Sequence, residues 1–265
     1  MEFPLLLVVG IIGNITSLAL FLSPMKTFWG IYKLKSTQEY SGLPYVCTLF
    51  NCCLWLLYGA PFVKPHSILL LTINGAGFVL EIFYLLSFLT FALKQKKVKT
   101  TRLAIAMTVA FVMVVVVTIY ALHTYNVRQL LVGTLGVILS IVMYASPLSV
   151  VGDVIRTKSV KYMPFLVSLF TTLNALVWSA YSVIAKDIFI AVPNGIGFLL
   201  GVIQLVVYLI YRSSEPVLPV STELQKLPEI KMIDDAFDLP IHILEVDTSN
   251  IVKVAAANLV IDDQV

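Results

Sequence analysis

The sequence predicts an all-α membrane protein. Its seven transmembrane helices form two parallel triple-helix bundles, spans 1–3 and 5–7, joined by a linker helix, span 4. Three observations carry that prediction. The 265-residue chain is 59% hydrophobic and only 12% charged, with a mean hydropathy of +0.94, whereas a soluble domain is about a quarter charged. Its few charges leave seven stretches of membrane length. Its two halves also repeat one spaced set of residues.

The spans follow in order. Uncharged stretches run from Phe3 to Met25, Tyr40 to Val63, Leu103 to Leu122, Gln129 to Gly152, Tyr162 to Ala185 and Ile188 to Tyr211; a further one, Pro65 to Leu93, is interrupted only by Glu81. A spanning helix needs about 20 largely apolar residues. None of the stretches keeps a polar face for water, which excludes a large soluble helical core. Met1-Glu2 gives no basic leader to the first stretch, so it is read as span 1 and not as a cleaved signal. Cys47, Cys52 and Cys53 all fall in span 2. That placement suits core packing and offers neither a disulfide framework nor a metal site. Asn14-Ile15-Thr16 matches a glycosylation sequon but lies inside span 1.

The repeat is offset by 123 residues: Ser17, Leu20, Pro24, Lys35-Ser36, Asn51, Trp55 and Tyr58 match Ser140, Met143, Pro147, Lys158-Ser159, Asn174, Trp178 and Tyr181. Repeated halves in an apolar chain mark a transporter with its substrate site between them near the bilayer midplane. Three spans per copy is an odd number, so an extra helix must restore the parallel orientation. Span 4, Val-rich and without a repeat partner, has that place. The division expected is 1–93 for the first repeat, 94–126 for the loop and linker helix, 127–212 for the second repeat and 213–265 for a disordered cytosolic tail. That tail carries ten acids against Lys226, Lys231 and Lys253, a composition of mobile chain.

Basic residues set the orientation. One side of the membrane holds twelve: Lys26, Lys33, Lys35, Lys94, Lys96, Lys97, Lys99, Arg102, Arg156, Lys158, Lys161 and Arg212. The other holds Lys64, Arg128 and Lys186. The richer side is expected in the cytosol, with the N-terminus outside and the C-terminus inside. The net charge of +3 is thus a topology signal, and nucleic-acid binding has no place.

Four prolines, Pro24, Pro44, Pro147 and Pro164, sit at the expected cytosolic ends of spans 1, 2, 5 and 6. Each lacks an amide hydrogen, and together they make a ring of weak points suited to rocking one bundle against the other. The offset of Pro44 and Pro164 is 120 and not 123, which implies a difference of one helical turn or a loop insertion. Asn74 and Asn194, each followed by Gly, share that offset of 120. An amide in a span is costly unless it finds a partner or a cavity, and it suits a hydroxyl-rich ligand. Asn51 and Trp55 lie four apart on one helical face, as do Asn174 and Trp178. A ring for the C–H face of a sugar and an amide for its hydroxyls is the combination a sugar needs. Tyr58, Tyr181 and Asp187 lie toward the opposite, outer end and are candidates for an outer gate. Glu81 has Gly201 at the matching position, which leaves proton coupling without a second-half counterpart.

The runs Phe21-Leu22-Ser23-Pro24, Lys35-Ser36, Thr72-Ile73-Asn74-Gly75, Ala145-Ser146-Pro147-Leu148-Ser149, Thr157 to Phe165 (TKSVKYMPF) and Val192-Pro193-Asn194-Gly195 together resemble the plant SWEET sugar transporters of the MtN3/saliva family, over about residues 5–212. The resemblance implies bidirectional, energy-independent sugar passage by alternating access. It implies a pocket at Asn74, Asn194, Trp55 and Trp178, shaped by Ser17, Leu20, Asn51, Ser140, Met143 and Asn174. It also implies the four prolines as an inner hinge, and a homo-oligomer, a trimer. Members with Asn at both polar positions of spans 2 and 6 resemble hexose carriers, and those with Ser resemble sucrose carriers. This chain has Asn51 and Asn174, so hexose, glucose foremost, is expected, with sucrose the alternative. The plasma membrane is the expected location, with a vacuolar or other internal membrane as the alternative. Neither cofactor nor metal is implied. A seven-span receptor is disfavoured, lacking an extracellular disulfide, a charged triplet ending span 3 and a late Asn-Pro motif. A membrane enzyme is disfavoured because His66 and His123 fall in outer loops away from any carboxylate pair.

Overall fold

The computed structural model describes residues 2–160 and 163–212. The predicted tail, 213–265, and the pair Lys161-Tyr162 lie outside the described residues. All regular structure among the described residues is helical. Span 1 is α1 (Glu2–Leu22) followed by α2 (Met25–Leu34). Spans 2 and 3 are α3 (Leu43–Gly59) and α4 (Ile68–Phe91). Span 4 is α5 (Lys94–Val116), which widens into a π-turn over Val117–Ala121. Span 5 is α6 (Tyr125–Met143) and α7 (Ala145–Thr157). Spans 6 and 7 are α8 (Phe165–Ile184) and α9 (Ile188–Tyr211).

The two broken spans break for the same chemical reason. Pro24 has no N–H to continue α1. Ser23 N instead donates to Leu20 O at 3.1 Å, a tight turn, and helical bonding resumes with Phe28 N to Pro24 O at 3.0 Å. In the second half Tyr144 N turns back to Ile141 O at 3.0 Å, and α7 restarts with Leu148 N to Tyr144 O at 3.1 Å. Pro147 occupies the first turn of α7, where its missing N–H costs nothing. Both short helices end on a left-handed lysine, Lys35 at φ 51° and Lys158 at φ 52°. The repeated Lys-Ser pair is therefore a repeated backbone turn.

Two boundaries differ from the sequence reading. Span 4 was expected from Leu103, yet α5 starts at Lys94. Lysine and arginine are good helix formers, and their long stems carry the charge clear of an apolar surface. An uncharged stretch therefore marks the membrane interior and not the helix. The same holds for α2 and α7, which run on past the apolar stretches. The proline offset of 120 also resolves. Helix α8 has 20 residues and α3 has 17. Pro164 is the N-cap of α8, whereas Pro44 sits inside the first turn of α3. On the offset of 123, α8 starts only one residue before α3 and ends two residues after it, so the helix starts nearly coincide and it is the proline that shifts across that start.

Within each half the third helix carries the other two: α4 packs on α1, α2 and α3, and α9 packs on α7 and α8 and also touches α6. Across the halves α1 packs on α8, and α3 on α6. Each half thus lends its first helix to the other half's second. The short helices stay with their own half. Ile31 of α2 is buried with Phe28, Tyr84 and Phe88, and its repeat counterpart Val154 of α7 is buried with Met163 and Val207. Helix α5 packs on α3 and α4 and turns Val109, Val112, Met113 and Val116 outward, as a membrane-facing linker must.

Close approach inside the first half depends on Gly77 of α4. A Cβ there would stand 2.9 Å from Cys52 Sγ and 2.5 Å from the Phe21 ring. Gly77→Ala is expected to lower the melting temperature of the detergent-solubilised protein by several degrees, since overpacking costs about 1–3 kcal/mol. An unchanged melting curve would show that Phe21 moves aside freely.

Candidate functional site: a cavity between the two halves

A cavity of about 500 Å³ lies between the halves. All ten residues singled out for a pocket line it: Asn74, Asn194, Trp55, Trp178, Asn51, Asn174, Ser17, Leu20, Ser140 and Met143. They come from α1, α3, α4, α6, α8 and α9. The linker α5 contributes none.

Hydrogen bonds at the wall reproduce the repeat. Asn51 Nδ2 donates to Ser140 Oγ at 2.9 Å, bridging α3 and α6. Ser17 Oγ donates to Asn174 Oδ1 at 2.7 Å, bridging α1 and α8. Each member of one pair is 123 residues from its counterpart in the other. The two bonds are pseudo-symmetric ties across the halves, and Thr16 Oγ1 adds a second donor to Asn174 Oδ1 at 2.8 Å. Trp178 Nε1 donates to Ser17 Oγ at 2.9 Å, so the second-half tryptophan is fixed by a polar contact as well as by packing. Its ring lies over Gly13, where a Cβ would come within 3.0 Å. Trp55 lies over Gly136 in the same way, at 3.4 Å.

Asn74 and Asn194 behave as a pair. Each donates Nδ2 one turn back along its own helix, Asn74 to Leu70 O at 2.9 Å and Asn194 to Ile190 O at 2.8 Å. Each amide keeps its oxygen and a second N–H for another partner. Two amides and two indoles around one chamber can bond hydroxyls while covering apolar ring faces.

One end of the chamber is closed. Trp55, Trp178, Tyr58, Tyr181, Val63, Leu70, Ile73, Val132 and Ile190 form a continuous buried cluster above it. Beyond that cluster Asp187 accepts from Tyr58 Oη at 3.0 Å on both carboxylate oxygens. It caps α9 through Phe189 N at 3.0 Å and Ile190 N at 3.3 Å, and it pairs with Lys64. The gate candidates Tyr58 and Asp187 are therefore in direct contact, while Tyr181 packs edge-on against Trp178 at 5.1 Å. Lys64 was read only as a loop charge in the sequence. The signal was available: it is the single lysine in the 60–67 loop and faces the single acid of the 185–187 loop.

The other end is open. Buried Ser17, Asn74, Trp55 and Trp178 give way along the wall to half-buried Thr48 and Pro24 and then to exposed Thr171. Of the four prolines, Pro24 lines the chamber, Pro147 is half-buried, and Pro44 and Pro164 are exposed. Sequence reasoning also missed Phe21 and Tyr144, which line the chamber at the two helix breaks. Tyr144 donates to Pro193 O at 2.6 Å. Elsewhere, Asn14 of the sequon donates to Leu69 O at 2.9 Å and is used in helix packing. No cluster of metal-binding side chains occurs among the described residues.

The sequence profile of a family described as sugar efflux transporters for intercellular exchange matches this chain twice, over residues 7–97 and 130–216. The chain belongs to the SWEET family. It is a multi-pass membrane transporter of sugar and not an enzyme. The two matched segments coincide with the two halves that enclose the chamber. The chain is 49% identical over 207 residues to the bidirectional sugar transporter SWEET1b of Oryza sativa subsp. indica, covering 78% of this chain and 79% of that one. It is 48% identical over 210 residues to SWEET1a of Oryza sativa subsp. japonica, covering 79% and 77%. It is 43% identical over 231 residues to SWEET4 of subsp. indica, covering 87% and 89%. The solved 3.7 Å structure of a eukaryotic SWEET transporter is similar at a TM-score of 0.75 and 39% identity, covering 79% of this chain and 97% of that chain.

Proposed function

We propose that this SWEET is a bidirectional hexose uniporter, with glucose its principal substrate, working by alternating access. The sugar binds between residues 1–93 and 127–212, with 94–126 as the connecting segment. The observation that most supports this reading is the convergence of ten residues, chosen by repeat spacing and family resemblance, on one chamber. Asn74 and Asn194 bond the sugar hydroxyls, and Trp55 and Trp178 cover its ring. The ties Asn51–Ser140 and Asn174–Ser17, with Met143, narrow the chamber toward one pyranose ring. Pro24, Pro44, Pro147 and Pro164 are the hinge at the open end; Tyr58, Tyr181 and Asp187 gate the closed end. The protein works as a homotrimer in the plasma membrane, its N-terminus outside and its C-terminus in the cytosol. The outward apolar surface of α5 is available to lipid or to a neighbouring copy.

Vesicle uptake tests the reading. Radiolabelled glucose is expected to enter proteoliposomes at the same rate with and without a protonophore, and sucrose at least about tenfold more slowly. Asn194→Ala, present in the membrane at normal level, is expected to lose most glucose uptake. One charge-free hydrogen-bonding group is involved, so the loss in affinity corresponds to about 0.5–1.5 kcal/mol net, and more if the substrate hydroxyl is left buried without a partner. Faster sucrose uptake would reverse the substrate assignment. Unchanged glucose uptake in Asn194→Ala would remove that amide from the site.

A further inference from the structure

Glu81 of α4 is 4% exposed and lines the chamber. Its Oε2 is the one buried side-chain oxygen or nitrogen without a hydrogen bond among the described residues. An unpaired buried acceptor disfavours the conformation that contains it by about tenfold or more. A partner stands close by. Tyr84 lies three residues on, along the same helical face. Tyr84 is fully buried, and its hydroxyl is engaged elsewhere: it donates to Phe21 O at 2.9 Å.

Phe21 sits at the end of α1, just before the Ser23-Pro24 break. On the other side of that break, Phe28 of α2 stacks on the Tyr84 ring at 4.7 Å between centroids and 16° between planes. Tyr84 therefore touches both arms of the first hinge, α1 through its hydroxyl and α2 through its ring. Closing the open end requires α2 to swing about the break, and that motion moves the Phe28 ring, with the Tyr84 ring stacked on it, relative to the Phe21 carbonyl, which stays on α1.

We propose that Glu81 and Tyr84 form a hydrogen-bond switch at the α1/α2 hinge. Tyr84 donates to Phe21 O while the proline end is open and to the Glu81 carboxyl when that end closes. Both are positioning residues and neither has to touch the sugar. A carboxyl keeps an accepting oxygen in either protonation state, so the switch does not call for proton coupling. The second half has no equivalent: the matching positions are Gly201 and Gln204, and Thr172 crowds Gly201. Inner-end motion is thus controlled from the first half.

Spin labels test the switch without any sugar, so the outcome is independent of the hexose reading. Gly30 on α2 and Gly152 on α7 both face open space and accept a labelled cysteine, in full-length protein with Cys47 replaced by Ser. The unaltered hinge is expected to give a long and a short distance population. Glu81→Leu is expected to deplete the short population several-fold, up to about tenfold for one lost bond, and Glu81→Gln, which keeps an acceptor, to restore it. In Tyr84→Phe background, Glu81→Leu is expected to add no further change, because the two act through one bond. Glucose exchange should then slow in Glu81→Leu through maximal rate, with its half-saturating concentration unchanged. An unaltered distance distribution in Glu81→Leu, or additive effects of the two substitutions, overturns the proposal. A Tyr45→Phe variant that abolishes the Glu81→Leu effect also overturns it, by giving the bond to the neighbouring tyrosine. Should Glu81→Leu fail to reach the membrane, Glu81→Ala, which also removes the acceptor, takes its place in the same cycle: a short population as large as in the unaltered hinge would sink the idea.

Discussion

Asp187→Ala is expected to cut sugar uptake by at least about tenfold, and to open the end of the chamber that the structure shows closed. The Asp187 side chain is 1% exposed and serves four partners: Lys64, Tyr58 and the amides of Phe189 and Ile190. Losing the N-cap alone costs about 1 kcal/mol. Leaving the Tyr58 hydroxyl buried and unpaired costs a further 1–3 kcal/mol or so. Lys64 keeps access to water, with 21% of its side chain exposed, so its stranded charge adds less than a fully buried partner would. The cap is made within α9 whether that end is open or shut, so only the cross-end contacts bear on the gate, and 1–3 kcal/mol or so shifts a two-state ratio by roughly five- to a hundredfold. In the proposed alternating-access cycle both ends close in turn, so a latch that no longer holds would stall it. Accessibility of an engineered cysteine at Val63 to a membrane-impermeant reagent, together with uptake, measures both halves of the expectation. Asp187→Asn keeps the cap and the tyrosine bond but loses the charge, and should fall between the two. Lys64→Ala should be milder than Asp187→Ala. Equal uptake in Asp187→Ala and the unaltered protein would show that the latch does not govern the cycle.

The reach of the sequence differs along this chain for physical reasons. The repeat was legible because each half folds the same way, so a residue that faces the chamber in one half faces it in the other. Ser17 and Asn174, or Asn51 and Ser140, could be placed in one pocket with no knowledge of their bonds. Charge gaps located all seven spans, since burying a charge in lipid is expensive. Helix ends were less legible. The charged start of α5 and the short helices α2 and α7 extend beyond the apolar region, where propensity and packing decide and the membrane does not. Pairings between loops were hidden as well. Ser67 heads α4 as Asp187 heads α9, so the structural counterpart of Asp187 is Ser67. Lys64 sits at the numerical offset of 123 but in a longer loop, and becomes its partner only through the closure of the end. Phe21 and Tyr144 gave no polar signal, and only the helix breaks beside them turn them into wall.

Trp178→Ala is expected to be the more damaging of the two tryptophan truncations. The ring is 5% exposed, rests on Gly13 and meets Tyr181 edge-on at 5.1 Å. Removing it leaves a hole in the cluster that seals the chamber, at a cost of about 3–5 kcal/mol. It also releases Ser17, which then serves Asn174 without the indole donor that orients it. Uptake should fall below detection and the melting temperature should drop by several degrees. Trp178→Phe separates the two effects. A phenyl ring refills most of the volume but cannot donate, so the melt should nearly recover while uptake stays low through weaker binding. Trp55 makes the control. Its indole rests on Gly136 at a looser 3.4 Å and meets Tyr58 edge-on at 5.5 Å, as Trp178 meets Tyr181, but among the described residues it lacks a bond like that of Trp178 to Ser17. Trp55→Phe should therefore lose less than Trp178→Phe, although the repeat makes the two positions equivalent. Identical losses at the two sites would mean that the ring face, and not the Trp178–Ser17 bond, is what the chamber uses.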